Sequence, residues 1–212
     1  AGAAAVFLSP ASAFAHHPLA GKPMTTFSEG LLSGIGHPIL GFDHLFFVAL
    51  VGIAALYTGR RFAAPAAYIA AMLLGCLAMS AGIGLPAKEI VIGLSLLALG
   101  GVVLSGRALG LVPALAVFAG FGLFHGSAFG DTLAGQEGAI GGAVLIGYLI
   151  GLGVVQYAIA LAAGWLLANS LRAASAQAVP ARLSGAVVAG IGLFLTLENV
   201  EGMAFDLLGF VS

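Results

Sequence analysis

Charge is what this sequence lacks most. Asp, Glu, Lys and Arg together make up 7% of its 212 residues, against about 25% in an ordinary soluble domain. A water-facing surface cannot be assembled from so few polar groups, so a soluble globular protein is excluded and the chain belongs in a bilayer. The net charge of −1 removes the basic excess that a nucleic-acid partner requires. Cysteine occurs once, as Cys76 inside an apolar run. That rules out a disulfide framework and a thiolate metal site, and leaves a small packing residue. The pattern G-x-x-x-x-G-K-[ST] does not occur, so the chain carries no P-loop with which to spend ATP.

Apolar length is what the sequence has in abundance. Hydrophobic residues make up 61% and the mean hydropathy is +1.14. Six stretches come close to the ~20 apolar residues that a helix needs to cross a bilayer. They run roughly over residues 38–58, 65–84, 88–106, 111–134, 139–168 and 184–208. Turn-like or charged segments separate them, among them "TGRRFAAP", "GLPAKE", "SGRALG" and "AGQEG". The 33 glycines fit this reading, because small residues let membrane helices approach closely. The expected fold is therefore an all-α integral membrane protein, a six-span transmembrane helix bundle forming one domain over residues 16–212. Residues 1–15 read as a signal-peptide-like segment, ending in Ala13-Phe14-Ala15, an A-x-A cleavage pattern before His16.

Basic residues set the expected orientation. With the segment after residue 15 outside, the inner loops hold Arg60, Arg61, Arg107, Arg172 and Arg182, and only Lys22 and Lys88 remain outside. That is the positive-inside pattern, and it puts both termini on the outer side. Three spans make each half, so a duplication would be inverted. "GFDH" in the first span and "GFGLFHG" in the fourth share some likeness.

Against this background the ionisable residues inside the spans stand out. His37, Asp43, His44, Glu89, His125, Asp131 and Glu198 all fall in the outer half of the expected bundle, with Gln156 deeper. A charge at a helix centre costs about 2.5–3.5 kcal/mol on the insertion scale. Several together are tolerable only facing one another, a cavity or a cation. Three imidazoles with carboxylates are a ligand set for a divalent transition metal. Each residue also has a plainer reading: a helix cap for His37, buried hydrogen-bonded rings for His44 and His125, a partner that orients a histidine for Asp43, a dipole-favoured first-turn acid for Glu89, and a headgroup-level acid for Asp131. His16 with His17 would be a terminal metal-capture group or a flexible end.

The local backbone is also unusual. Pro38 lacks an N–H, and Gly34, Gly36 and Gly41 weaken the same stretch. The segment "EGLLSGIGHP" is expected as a half-helix or loop before the first span, with the regular helix starting at Pro38. In one regular helix His37 and His44 would stand about 10 Å apart along the axis, which is far for a shared ion. Gly122, Gly126 and Gly130 recur every four residues and form a smooth strip for close packing beside His125.

The stretch "HPILGFDHLFFVALVG" resembles the signature of the HupE/UreJ family of membrane proteins, regarded as secondary permeases for nickel and, in some members, cobalt. The likeness extends from about His16 to the last span. It includes His37, Pro38, Gly41, Asp43 and His44, the acidic residue opening the third span and the "FGLFHG" run of the fourth. The resemblance implies metal-handling roles for His37, Asp43, His44 and His125. In many members the fourth-span motif continues His-Gly-x-Ala-His-Gly-x-Glu. Here Phe129 replaces the second histidine and Asp131 the glutamate, and Gln156 stands near where a fifth-span histidine is common.

The expected function is secondary transport of a divalent transition metal ion, Ni²⁺ or Co²⁺, with Zn²⁺ and Cu²⁺ also compatible with such ligands. His37, Asp43, His44, Glu89 and His125 would hold the ion, and His16, Asp131, Glu198 and Gln156 would line its path. The location would be the bacterial inner membrane, with the bilayer as partner and self-association or a larger membrane complex open. Two other classes remain: a non-catalytic membrane subunit, and an intramembrane hydrolase using zinc with Ser127 nearby.

Overall fold

The computed structural model describes residues 23–136 and 140–209. The signal-like segment, His16, His17 and Glu137 lie outside the described residues. Seven α-helices follow in order: α1 Phe27–Leu40, α2 Phe42–Ala55, α3 Ala63–Ser80, α4 Lys88–Leu104, α5 Leu111–Ala134, α6 Gly142–Trp165 and α7 Val179–Leu208. One 3₁₀ turn extends α2 through Thr58, and a π-turn extends α6 through Ser170. Among the described residues there is no strand.

Among the described residues, four helical segments are long and apolar enough to cross a membrane: Ala63–Ser80, Leu111–Ala134, Gly142–Ser170 and Val179–Leu208. A fifth arises if α1 and α2 are one broken span, bent by 82°. α4 has 17 residues, about 26 Å of helix at 1.5 Å per residue. The chain is an all-helical membrane protein.

The first helix departs from expectation. α1 starts well upstream, where Thr26 caps the Glu29 N–H and the Glu29 carboxylate accepts from the Thr25 and Thr26 backbone, a reciprocal capping box. It then runs through Gly36 and Pro38 and stops only at Gly41. Neither Gly36 nor Pro38 breaks the helix, and the regular span does not begin at Pro38. The reason is tertiary. Gly30 and Gly34 press α1 onto α6, where an added Cβ would strike the Val144 and Tyr148 carbonyls. That packing holds the helix past the proline. Gly41 then takes an extended conformation. Its N–H closes the last turn onto the His37 carbonyl at 2.9 Å, and its own carbonyl opens α2 by accepting from Leu45 at 2.9 Å. A Cβ at Gly41 would lie 3.0 Å from the His44 ring and 3.3 Å from the Asp43 carboxylate, so a larger residue at the corner would press on both side chains.

Close helix pairs build the bundle. α3 lies against α5, α4 against α7, and both α1 and α2 against α6. α2 occupies the middle, touching α3, α4, α5 and α7 as well. α3 and α5 run parallel: Gly122 meets Tyr68 and Ala71, Gly126 meets Met72 and Cys76, and Gly130 meets Cys76 and Met79. The small-residue strip of α5 therefore packs on α3, and His125 faces away from it toward α2. α2 and α6 also run parallel, with Gly52 on Ala160 and Gly164 on Gly52. Exchanging α2–α4 with α5–α7 turns this pairing into that of α3 with α5 and returns α4 with α7 to itself.

The arginine-bearing turns gather at one end of the bundle. There the Arg182 guanidinium donates to the Leu104 carbonyl at 2.9 Å, the Tyr57 hydroxyl to the Ala173 carbonyl at 3.1 Å, and the Tyr157 hydroxyl to the Phe62 carbonyl at 3.1 Å. At the other end Lys88 pairs with Asp131, and the Leu85 N–H donates to Ser127 at 3.1 Å.

Candidate functional site

His44 and His125 meet in the interior. α2 delivers His44 within its first turn, just after the Gly41 corner, and α5 delivers His125 opposite its glycine strip. Their Nδ1 atoms are 2.8 Å apart and their ring centroids 5.0 Å. Burial is nearly complete, with 6% of His44 and none of His125 accessible. Each ring is clamped by a phenylalanine from the other helix. Phe47 of α2 stacks on His125 at 4.3 Å and 18°, and Phe129 of α5 lies 4.2 Å from His44. The spacings, three residues in α2 and four in α5, put each histidine and its helix's phenylalanine on one face.

Hydrogen-bond partners fix what these rings present. Ser95 Oγ lies 2.9 Å from His125 Nε2 and donates to the Ile92 carbonyl at 2.7 Å. On the far side of His44, Nε2 is 3.7 Å from Asp43 Oδ2, too long for a direct hydrogen bond but close enough for charge to be felt.

His37 approaches from α1. The 82° corner brings its ring centroid to 6.2 Å from His44 and 4.9 Å from Phe129. A straight helix would have held His37 and His44 far apart. His37 Nδ1 is 2.9 Å from the Tyr148 hydroxyl and 3.1 Å from Thr132 Oγ1. Tyr148 gives its single proton to the Phe129 carbonyl at 3.0 Å, and a carbonyl can only accept. The Tyr148 oxygen therefore accepts from His37. On the other side of the imidazole pair, the Tyr68 ring lies 6.1 Å from His125. Its hydroxyl donates to Gln156 Oε1 at 2.8 Å, and the Gln156 amide nitrogen is 3.6 Å from Met72 Sδ.

A polar ladder thus descends through an apolar bundle: Thr132 and His37, then His44 with His125, then Tyr68 and Gln156. Thr132 and His125 are seven residues apart on α5, about 10 Å of helix. Tyr148 and Gln156 mark a similar interval on α6. Polar groups buried in this way, fully at His125, Tyr68 and Gln156 and partly at His37 and Thr132, are expensive unless satisfied. Here each has a partner on another helix.

The other residues singled out in the sequence make no hydrogen bond to the imidazole pair. Asp131 is taken up by Lys88. Glu89 is exposed at the start of α4 and forms no hydrogen bond or ion pair among the described residues, yet it lies close enough to His44 and Asp43 to feel their charge. Glu198 is exposed on α7, two residues beyond Thr196, which packs on Gly93 of α4. Ser127 is occupied by the Leu85 N–H. Among the described residues no three His, Cys, Asp or Glu side chains group closely enough to hold a metal ion at once. What is preformed is a two-nitrogen site with a third imidazole one step away.

Sequence reading passed over Ser95, Tyr68, Tyr148 and Thr132. A signal was available for the tyrosines: all four lie within the long apolar stretches, where a buried hydroxyl must find a partner. Tyr148→Phe removes the hydroxyl that joins α1, α5 and α6. We expect a loss of about 1–2 kcal/mol, read as a midpoint lowered by a few degrees in thermal unfolding of detergent-solubilised protein. An unchanged midpoint would show that the Tyr148 bridge is not formed.

Fold and site together define an all-helical membrane protein whose interior carries a ladder of polar groups built on an imidazole pair. The chain belongs to the HupE/UreJ family, whose profile, "HupE / UreJ protein", matches residues 4–195. It is 30% identical to "Protein HupE" of Rhizobium leguminosarum bv. viciae over 177 residues, covering 79% of this chain and 85% of that protein. No solved structure matches it.

Proposed function

We propose that this protein is a secondary permease for a divalent transition metal ion, nickel or cobalt, and that the His44–His125 pair is the narrow point of its path. The carrying observation is the 2.8 Å between the two Nδ1 atoms. Ligand nitrogens about 2.0–2.1 Å from a metal and at right angles around it are about 2.9 Å apart. The pair is therefore pre-spaced to take a cation in place of the proton the two nitrogens now share. Nitrogen donors favour transition metals over Mg²⁺ and Ca²⁺, which prefer all-oxygen shells.

In this reading α1 and α2 form one broken span, and α3 to α7 supply the other five. The arginine-bearing end faces the cytoplasm under the positive-inside rule. The ion enters at Thr132 and His37, passes the imidazole pair, and leaves past Tyr68 and Gln156. When the cation takes Nδ1 of His44, that ring carries its proton on Nε2, toward the Asp43 carboxylate. Asp43 thus orients His44 and balances the cargo's charge. A two-nitrogen hold suits an ion in transit. A resident hydrolytic zinc uses three protein ligands, and Ser127, the serine considered for that chemistry, is bound to backbone.

The test is uptake into proteoliposomes offered Ni²⁺, Co²⁺, Zn²⁺ or Mg²⁺ with an imposed membrane potential. Saturable accumulation of Ni²⁺ or Co²⁺, without Mg²⁺, is the expected result. Failure to accumulate any of the transition metals, with the protein correctly inserted, would end this reading.

A further inference from the structure

Ser95 hydrogen-bonds to the imidazole pair and belongs to neither motif. It sits in α4, is fully buried, and makes two contacts: to the Ile92 carbonyl at 2.7 Å and to His125 Nε2 at 2.9 Å. A serine hydroxyl has one proton to give. If that proton went to the imidazole, the serine oxygen and the Ile92 carbonyl oxygen would face each other at 2.7 Å with no hydrogen between them. Two lone pairs at that distance in an apolar interior repel strongly. The proton must lie on the Ile92 contact, and Ser95 must accept from His125. His125 then carries its hydrogen on Nε2, and Nδ1, the atom aimed at His44, is left with its lone pair.

From this we infer that Ser95 is a positioning residue: it locks His125 in the Nε2–H tautomer, so that Nδ1 is the atom offered to the cation. The opposite tautomer is the commoner one for a ring whose Nδ1 donates to a backbone carbonyl, and it would face the path with an N–H. Packing reinforces the lock. Phe47 stacked on one face of the ring holds it against a flip that would put carbon atoms where Nδ1 and Nε2 now stand. The hydroxyl that sets the tautomer is thus carried by a third helix, α4, while the cation would meet side chains of α2 and α5. This inference rests on the permease reading for its consequence, but the tautomer is a property of the protein alone.

Two measurements separate those claims. The first is solid-state NMR of protein in bilayers, labelled with ¹⁵N-histidine and without metal. The His125 signals are identified as those lost in His125→Gln. The expected spectrum has a protonated Nε2 and an unprotonated Nδ1. In Ser95→Ala this signature should weaken or reverse, and in Ser95→Thr, which keeps the hydroxyl, it should persist. The second is the concentration dependence of Ni²⁺ uptake. Ser95→Ala should raise the half-saturating concentration by about 10- to 100-fold, the usual cost of losing a group that orients a metal-binding histidine, and Ser95→Thr should recover most of it. A protonated Nδ1 on His125 in the unaltered protein, or a signature indifferent to Ser95→Ala, would overturn the inference whether or not the protein transports metal. The expected tautomer with no uptake at all would leave Ser95 as the lock and remove the permease reading instead.

Discussion

Replacing His125 by alanine abolishes Ni²⁺ and Co²⁺ uptake in proteoliposomes, to less than about a tenth of the unaltered rate, while the protein still inserts. The expectation follows from the number of donors. Two nitrogens converge at 2.8 Å, and removing one leaves the other without the partner that makes the site. Each metal–imidazole contact must offset part of the ion's dehydration, and with one lost the barrier rises by more than the 1.4 kcal/mol that makes a tenfold rate difference. His44→Ala should do the same, and the double variant should be no worse than either single one, because groups that act as a unit are not additive. His37→Ala should be milder, a several-fold loss, since its ring stands 6.2 Å from His44 at a separate step. Some stability will be lost too. Alanine at 125 leaves Phe47 without its stacking partner and opens a cavity, a cost of about 2–4 kcal/mol. Helical content and detergent monodispersity, measured on the same preparations, separate that cost from the transport defect. Uptake within twofold of normal in both His44→Ala and His125→Ala would sink the imidazole pair as the narrow point.

Much of this site was legible in sequence because of where the polar residues fall. An imidazole in an apolar run demands a partner, and His44 and His125, at matching depth on different spans, pointed to one another. The six apolar stretches anticipated five helices well, with α5 bounded as expected at residues 111–134. The failures have a common cause in tertiary contact. Pro38 reads as the start of the regular helix, yet packing of Gly30 and Gly34 on α6 carries α1 through it to Gly41. That shift of a few residues is what folds His37 back toward His44. Glu89 lies within electrostatic reach of His44 and Asp43 without touching them, and Glu198 is exposed on α7. A span's sequence gives height in the membrane readily, whereas facing depends on which neighbours its small residues choose. Ser95 was invisible for a related reason. A serine within a span usually satisfies itself on its own backbone, as Ser95 does at Ile92, and only the coordinates reveal that its lone pair serves His125.

The glycine strip of α5 carries the second large effect. Gly126→Val should cost about 3 kcal/mol or more, the upper range for overpacking, and should lower both the yield of folded protein and its thermal midpoint sharply. A Cβ at residue 126 would fall on the Met72 carbonyl oxygen, 2.7 Å from the carbonyl carbon and 2.9 Å from the Cys76 nitrogen. All three are backbone atoms, so no rotamer change relieves the clash and α3 itself must move away. The displacement reaches the site directly. His125 is the preceding residue, Met72 contacts Gln156, and Tyr68, one turn back on α3, holds the Gln156 carbonyl oxygen. Gly120→Val is the matched control, since it lies on the same helix with nothing within 4 Å of the added Cβ and faces outward, where lipid accommodates a side chain. Its expected effect is below about 0.5 kcal/mol, as for an ordinary surface substitution. Equal midpoints for the two valine variants would mean that α3 and α5 do not touch backbone to backbone. The level at which Tyr68, Gln156 and His125 meet would then have to be set by some other contact.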